Sequence, residues 1–210
     1  MPPPPNDVQA QALNALAASR AAGYQRGLVV LATGLGKTYL TGFDTERFGA
    51  ARVLFVAHRE EILLQAEATF QRVRSKARVG RYTGTRRDDG VDLLFTSVQT
   101  LGRKRHLEDF NATHFDYIVV DEFHHAAAST YRRLLRHFRP RFLLGLTATP
   151  ERTDQSDILS LCDDNLVTAT VCSTVSRQDC SARSPTTGFS TSTLTTKRFR
   201  GAMGDSIPKA

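Results

Sequence analysis

The sequence predicts an α/β fold built on a doubly wound, mostly parallel sheet, and three observations predict it. Five short, almost continuously apolar runs, at 28–32, 53–57, 93–96, 117–120 and 142–146, have the composition of strands covered on both faces. Stretches with apolar residues at mixed three and four spacing lie between several of them, at 38–48, 60–73 and 130–138, and read as crossover helices. Two of the apolar runs then empty directly into chemically loaded loops, which is where a parallel sheet with crossover helices places its ligands.

Taken in order, the prolines at 2–5 favour an extended, flexible start over residues 1–6. Asp7 is expected to cap a first helix that carries Val8, Leu13 and Leu16 and stops near Gly23. The first strand runs into Thr33-Gly34-Leu35-Gly36-Lys37-Thr38. Glycines let such a loop wrap an anion with backbone N–H groups, at the positive end of the following helix. Lys37 adds a point charge and Thr38 a hydroxyl for magnesium, so the segment reads as a P-loop that binds a nucleoside triphosphate. The strict pattern has glycine where this chain has Leu31, and an ordinary glycine turn between strand and helix is the competing reading.

The strand at 53–57 leads to His58, Arg59 and Glu60, and the strand at 93–96 to Ser97, Gln99 and Thr100. The strand at 117–120 ends in Asp121-Glu122-Phe123-His124-His125. Adjacent carboxylates at a strand end, opposite a phosphate loop, suit two roles: Asp121 as a magnesium ligand, and Glu122 as the base for the water that attacks the γ-phosphate. The competing reading is a solvated acidic turn. A transition-metal site at His124 and His125 is not expected, because no spaced Cys or His partner accompanies them. The strand at 142–146 is followed by Thr147-Ala148-Thr149-Pro150.

Composition narrows the classes further. A chain of 210 residues, 40% of them hydrophobic, supports one α/β domain plus an appendage. The three cysteines, Cys162, Cys172 and Cys180, have no CxxC spacing, which argues against a disulfide framework and a zinc site. No apolar run is long enough to span a bilayer and the start has no secretory signal, so a cytoplasmic location is expected. The net charge of +7 is concentrated late: residues 168–210 hold six Lys and Arg against two Asp. Basicity is therefore weak evidence for a nucleic-acid partner, and motifs must carry that inference.

The segments at 32–38, 121–124 and 146–150 resemble, in order and separation, motifs I, II and III of superfamily 2 helicases and translocases. The chain is similar to the DEAD/DEAH-box group that includes the helicase subunits of type I and type III restriction enzymes, over roughly residues 5–167. The resemblance implies a RecA-like, ATP-binding P-loop domain at 7–167, with ATP and Mg2+ bound and nucleic acid, DNA rather than RNA, as partner. It implies catalytic roles for Lys37, Asp121, Glu122 and His124, and a coupling role for Thr147, Ala148 and Thr149. Residues 53–63 and 96–101 resemble the loops that hold the strand backbone, which implies contacts from Arg59, Thr96, Gln99 and Thr100. An ordinary charged first helical turn is the alternative for Arg59. Gln9 matches the family's adenine-reading glutamine, although its arginine-proline context is missing and a glutamine on an exposed helix face reads the same.

Nothing after Pro150 resembles the second motor domain that supplies arginine fingers in this family. From 168 to 196 about half the residues are Ser or Thr, as in a disordered segment. A one-base register change near codon 167 back-translates to an apolar, aromatic peptide like the family's continuation, so residues 168–210 are expected to be a disordered or frameshifted tail. The expected function is the ATP-binding half of a DNA helicase or translocase, weakly active alone and completed by a separate motor domain or subunit. The alternative is a non-catalytic nucleic-acid or partner-binding module. A P-loop kinase is argued against by Thr147-Ala148-Thr149 and the set at 121–124.

Overall fold

The computed structural model describes residues 2–126, 128–148 and 155–170. The elements are α1 (Asp7–Ala21), β1 (Arg26–Leu31), α2 (Lys37–Phe48), β2 (Val53–Ala57), α3 (Glu60–Val73), β3 (Val79–Tyr82) and β4 (Leu93–Ser97), then the short α4 (Val98–Leu101) and α5 (Lys104–Leu107). They continue with β5 (Tyr117–Val120), a 3-10 turn (Phe123–His125), α6 (Ser129–His137), β6 (Phe142–Thr147), α7 (Gln155–Ser160) and β7 (Leu166–Thr170). The strands form one sheet in the order β3-β4-β2-β5-β6-β1-β7, and every pairing between them is parallel. Among the described residues no helix is long and apolar enough to cross a membrane.

Two cores follow from the alternation of side chains along buried strands. Val29, Leu31, Phe55 and Val119 face the layer of α1, α2 and α3, with Leu13, Leu16, Leu40 and Phe70 packed against them. Leu28, Val30, Val56 and Val120 face the layer of α4 to α7, with Leu101, Leu107, Leu134 and Ile158. The doubly wound fold read from the sequence is thus the observed one.

Local differences have local reasons. Asn6, not Asp7, caps α1: its side chain accepts from the Gln9 N–H at 2.8 Å while the Gln9 side chain accepts from the Asn6 N–H at 2.9 Å, a complete capping box. Strand β3 was not legible as a strand because it is four residues long and interrupted by Gly80 and Arg81. Strand β7 is a threonine-rich edge, half-exposed, that pairs with β1 from Leu166 to Thr170 and so runs past the composition change at residue 168. Residues 171–210, on which the expectation of a disordered or frameshifted tail chiefly falls, lie outside the described residues.

Candidate active site

Three adjacent strands, β5, β6 and β1, end side by side, and their ends carry the acid pair, Thr147 and the glycine loop. The loop leaves β1 at Leu31 and enters α2 at Gly36, whose left-handed conformation (φ 78°) a side chain rarely adopts. A Cβ at Gly36 would also collide with the Gln9 amide. No side chain caps α2, so its first-turn N–H groups keep their donors for an anion. Lys37 is half-buried and its Nζ donates to the Leu31 carbonyl at 3.1 Å, folding the lysine back along its own loop. Burial pushes its pKa down, and the neighbouring charges of Asp121 and Glu122 oppose that shift. Thr33 and Gly34 are exposed, and Leu35 and Thr38 half-buried, along the same loop.

Asp121 is 7% exposed. Its N–H continues the sheet by donating to the Val56 carbonyl at 2.9 Å, and its Oδ1 accepts from the Glu122 N–H at 2.9 Å. Burial raises its pKa, against the pull of that N–H and of Lys37. Glu122 sits in the left-handed region (φ 51°, ψ 47°), a conformation that costs a non-glycine residue on the order of 1–3 kcal/mol and re-aims its side chain away from the strand direction. The 3-10 turn that follows is anchored by Phe123, whose ring lies against the backbone of β6 at Gly145. A Cβ there would meet the ring at 2.7 Å, so only glycine permits the approach. That anchor brings His124 Nδ1 to 3.3 Å from Thr147 Oγ1.

From His124 a ladder of rings leaves the acid pair. The His124 and His125 rings are 4.1 Å apart, those of His125 and His58 5.4 Å, and Gln99 Nε2 lies 2.8 Å from His58 Nδ1. The ladder joins the turn after β5 to the loop after β2 and the start of α4. The sequence assigns no role to His125 or His58; the signal it offers is that both follow strand ends. Tyr131 was missed as well. Its hydroxyl is buried and has no hydrogen-bond partner among the described residues, and its pKa is raised by burial and by Glu122 and Asp121.

Among the residues expected at the strand backbone, Arg59 and Gln99 are exposed and Thr100 half-buried. Thr96 requires a correction: it is fully buried and its hydroxyl donates to the Tyr82 carbonyl at 2.7 Å, because it pairs inside the sheet between β2 and β3. Gln9 donates to the carbonyls of Gly36 (3.1 Å) and Leu35 (3.5 Å), so both ends of its amide are engaged by the protein. Ala148 is half-buried just beyond β6, and Thr149 lies outside the described residues. Among the described residues no three or more His, Cys, Asp and Glu side chains gather as a metal site.

Residues 3–152 match the family described as "Type III restriction enzyme, res subunit". The chain belongs to that family. It is 34% identical over 180 residues to the "Putative ATP-dependent helicase IRC3" of Saccharomyces cerevisiae, covering 77% of this chain and 25% of the yeast protein. It is 30% identical over 163 residues to the type I restriction enzyme EcoAI endonuclease subunit of Escherichia coli, covering 72% and 20%. This res-family chain therefore spans about a quarter of the length of such relatives. In fold it is similar to the Sulfolobus solfataricus SWI2/SNF2 ATPase core in complex with dsDNA (TM-score 0.63, 18% identity, 76% of this chain and 35% of that one). It is also similar to the Pyrococcus furiosus Hef helicase domain (TM-score 0.57, 21% identity, 72% and 36%). The described fold is thus the RecA-like fold of helicase ATPase domains.

Proposed function

We propose that this chain is the ATP-binding half of an ATP-dependent DNA helicase or translocase. The observation that carries the reading is the convergence of the glycine loop, Thr147 and the acid pair on the ends of three adjacent strands, with Lys37 in the field of both carboxylates. Residues 33–38 hold the phosphates through backbone N–H groups, and Lys37 leaves the Leu31 carbonyl to meet them. Thr38 and Asp121 offer the oxygen ligands that suit Mg2+, which supplies charge neutralisation at the phosphates. Glu122 orients the attacking water and takes its proton. His124 and Thr147 pass the state of that site towards the loops that hold Arg59, Gln99 and Thr100, where the DNA backbone is bound. Gln9, released from Gly36, reads the adenine edge.

Turnover needs arginine fingers from a second motor domain, which can contribute several orders of magnitude to the rate. This chain alone is expected to bind ATP and hydrolyse it slowly. The test is ATP affinity by calorimetry: Lys37→Ala should abolish binding, and unchanged affinity would sink the reading. Glu122→Gln should keep the affinity while cutting turnover by about 10²–10⁴-fold. A second reading, a non-catalytic binding module, is favoured by the internal engagement of Lys37 and Gln9 by the loop. It predicts nucleic-acid or partner binding that is indifferent to ATP.

A further inference from the structure

The edge of the sheet where the strands begin carries an alternation of charge. Arg78, Asp92, Arg52, Asp116 and Arg141 each stand immediately before a strand, β3, β4, β2, β5 and β6. The pairings Val79↔Leu93, Val53↔Leu93, Val53↔Tyr117 and Tyr117↔Phe142 set all five in one row across adjacent strands. Asp92 pairs with Arg78 at 3.0 Å, and Asp116 accepts the N–H groups of Ala51 and Arg52 at 3.0 and 2.9 Å.

The alternation stops between β6 and β1. Arg26 opens β1 opposite Leu143, two residues past Arg141 along β6, and Arg136 and Arg139 lie at the end of α6 and in its connection to β6. Among the described residues none of these four arginines forms an ion pair, and Asp163 and Asp164, on the turn before β7, pair with none of them. Three of the four guanidinium groups make contacts among the described residues that leave their charge unneutralised. Arg26 donates to the Leu161 carbonyl at 3.2 Å, Arg139 donates to the Arg136 carbonyl at 3.0 Å, and Arg141 lies 4.7 Å from the centre of the Phe48 ring. A cleft of about 330 Å3 lined by Gln25, Arg26, Phe138, Arg139, Pro140 and Arg141, with no carboxylate, takes in three of them, and Arg136 lines an adjoining cleft together with Arg26 and Arg139. Tyr24, two residues before Arg26, leaves 45% of its surface exposed.

We propose that this arginine cluster binds the phosphodiester backbone of nucleic acid, as a second contact on the side of the sheet away from the glycine loop. The six-residue β1 separates the two by roughly 20 Å at about 3.3 Å per residue, so the contact is independent of the strand-end loops. Planar guanidinium forks match phosphate oxygens, and an exposed tyrosine beside them offers a stacking face for a base. The proposal rests on nucleic acid being the partner of this chain.

The test is fluorescence anisotropy of a labelled duplex and a labelled single strand across a salt series, with the full chain and its Arg136→Gln/Arg139→Gln variant. The variant is expected to bind more weakly and to flatten the slope of log K against log salt by about 2, since each lost phosphate contact removes roughly 0.9. ATP affinity and melting temperature should stay as in the parent, and Arg141→Gln alone should flatten the slope by about 1. Unchanged slope and affinity in the variant, alongside weakening by Arg59→Ala/Gln99→Ala, would overturn this proposal and leave the functional reading standing. No binding by the parent chain at low salt would overturn both. If poly-glutamate binds the parent and not the variant, while nucleic-acid affinity is equal in the two, the cluster serves an acidic polypeptide and the proposal fails.

Discussion

Asp121 and Tyr131 show how the candidate site is held at a cost to stability. Burial raises the pKa of Asp121 above that of an unfolded aspartate, so the folded state is penalised when the carboxylate ionises. The penalty is present at neutral pH and disappears as pH falls through the folded-state pKa. Asp121→Asn keeps the oxygen that accepts the Glu122 N–H and removes the charge. It is expected to raise the melting temperature at neutral pH, with the gain shrinking in acid, while Mg2+-dependent turnover is lost; a thermal melt series across pH checks this. Tyr131→Phe deletes a buried hydroxyl that has no hydrogen-bond partner among the described residues. Since an unsatisfied group of this kind costs roughly 1–3 kcal/mol, the variant should be more stable in urea than its parent. A lower stability would mean that the hydroxyl already has a partner.

At the scale of elements, α1 and α2 are joined by a buried charge network. Arg20 of α1 holds Asp44 of α2 with two bonds of 2.7 and 2.8 Å, and the Tyr117 hydroxyl donates to the same carboxylate at 2.5 Å. Asp44 is fully buried while Arg20 stays partly accessible. Arg20→Ala would leave a buried carboxylate with a single donor and is expected to cost about 3 kcal/mol, read by urea denaturation. Because α1 also carries Gln9 against Gly36, the same change should loosen the glycine loop and weaken ATP binding. Gly145→Ala tests the other anchor. Its methyl would push Phe123 off β6, moving His124 from Thr147, and the expected result is lost ATPase activity with ATP affinity retained.

For the whole molecule, the two ends of one parallel sheet carry different residues. The ends of β5, β6 and β1 collect the acid pair, Thr147 and the glycine loop, and around the starts of β6 and β1 stand four arginines that form no ion pair among the described residues. Adding a separately expressed second motor domain of a relative is expected to raise the ATPase rate of this chain by orders of magnitude if the nucleotide site is built for an arginine finger from outside. A coupled ATPase assay with and without that domain measures it.

The class of fold was legible along the chain, because buried parallel strands must be continuously apolar, and the glycine loop before Lys37 and Thr38 was legible as a residue pattern at a strand end. Helix α3 and strands β2 and β5 were legible to the residue for that reason, whereas β3 and β7 were not, being short or polar edges. Tertiary structure alone decided which strands are neighbours, and with that which loops meet. Thr96 looks like an exposed hydroxyl at a strand end and is buried because β2 and β3 flank it. His58, His125 and Gln99 look unrelated in sequence and form one ladder because β2, β4 and β5 are adjacent. The row of alternating charges is likewise invisible along the chain, where its members are scattered from Arg52 to Arg141. Strand order is set by long-range packing, and no local pattern encodes it.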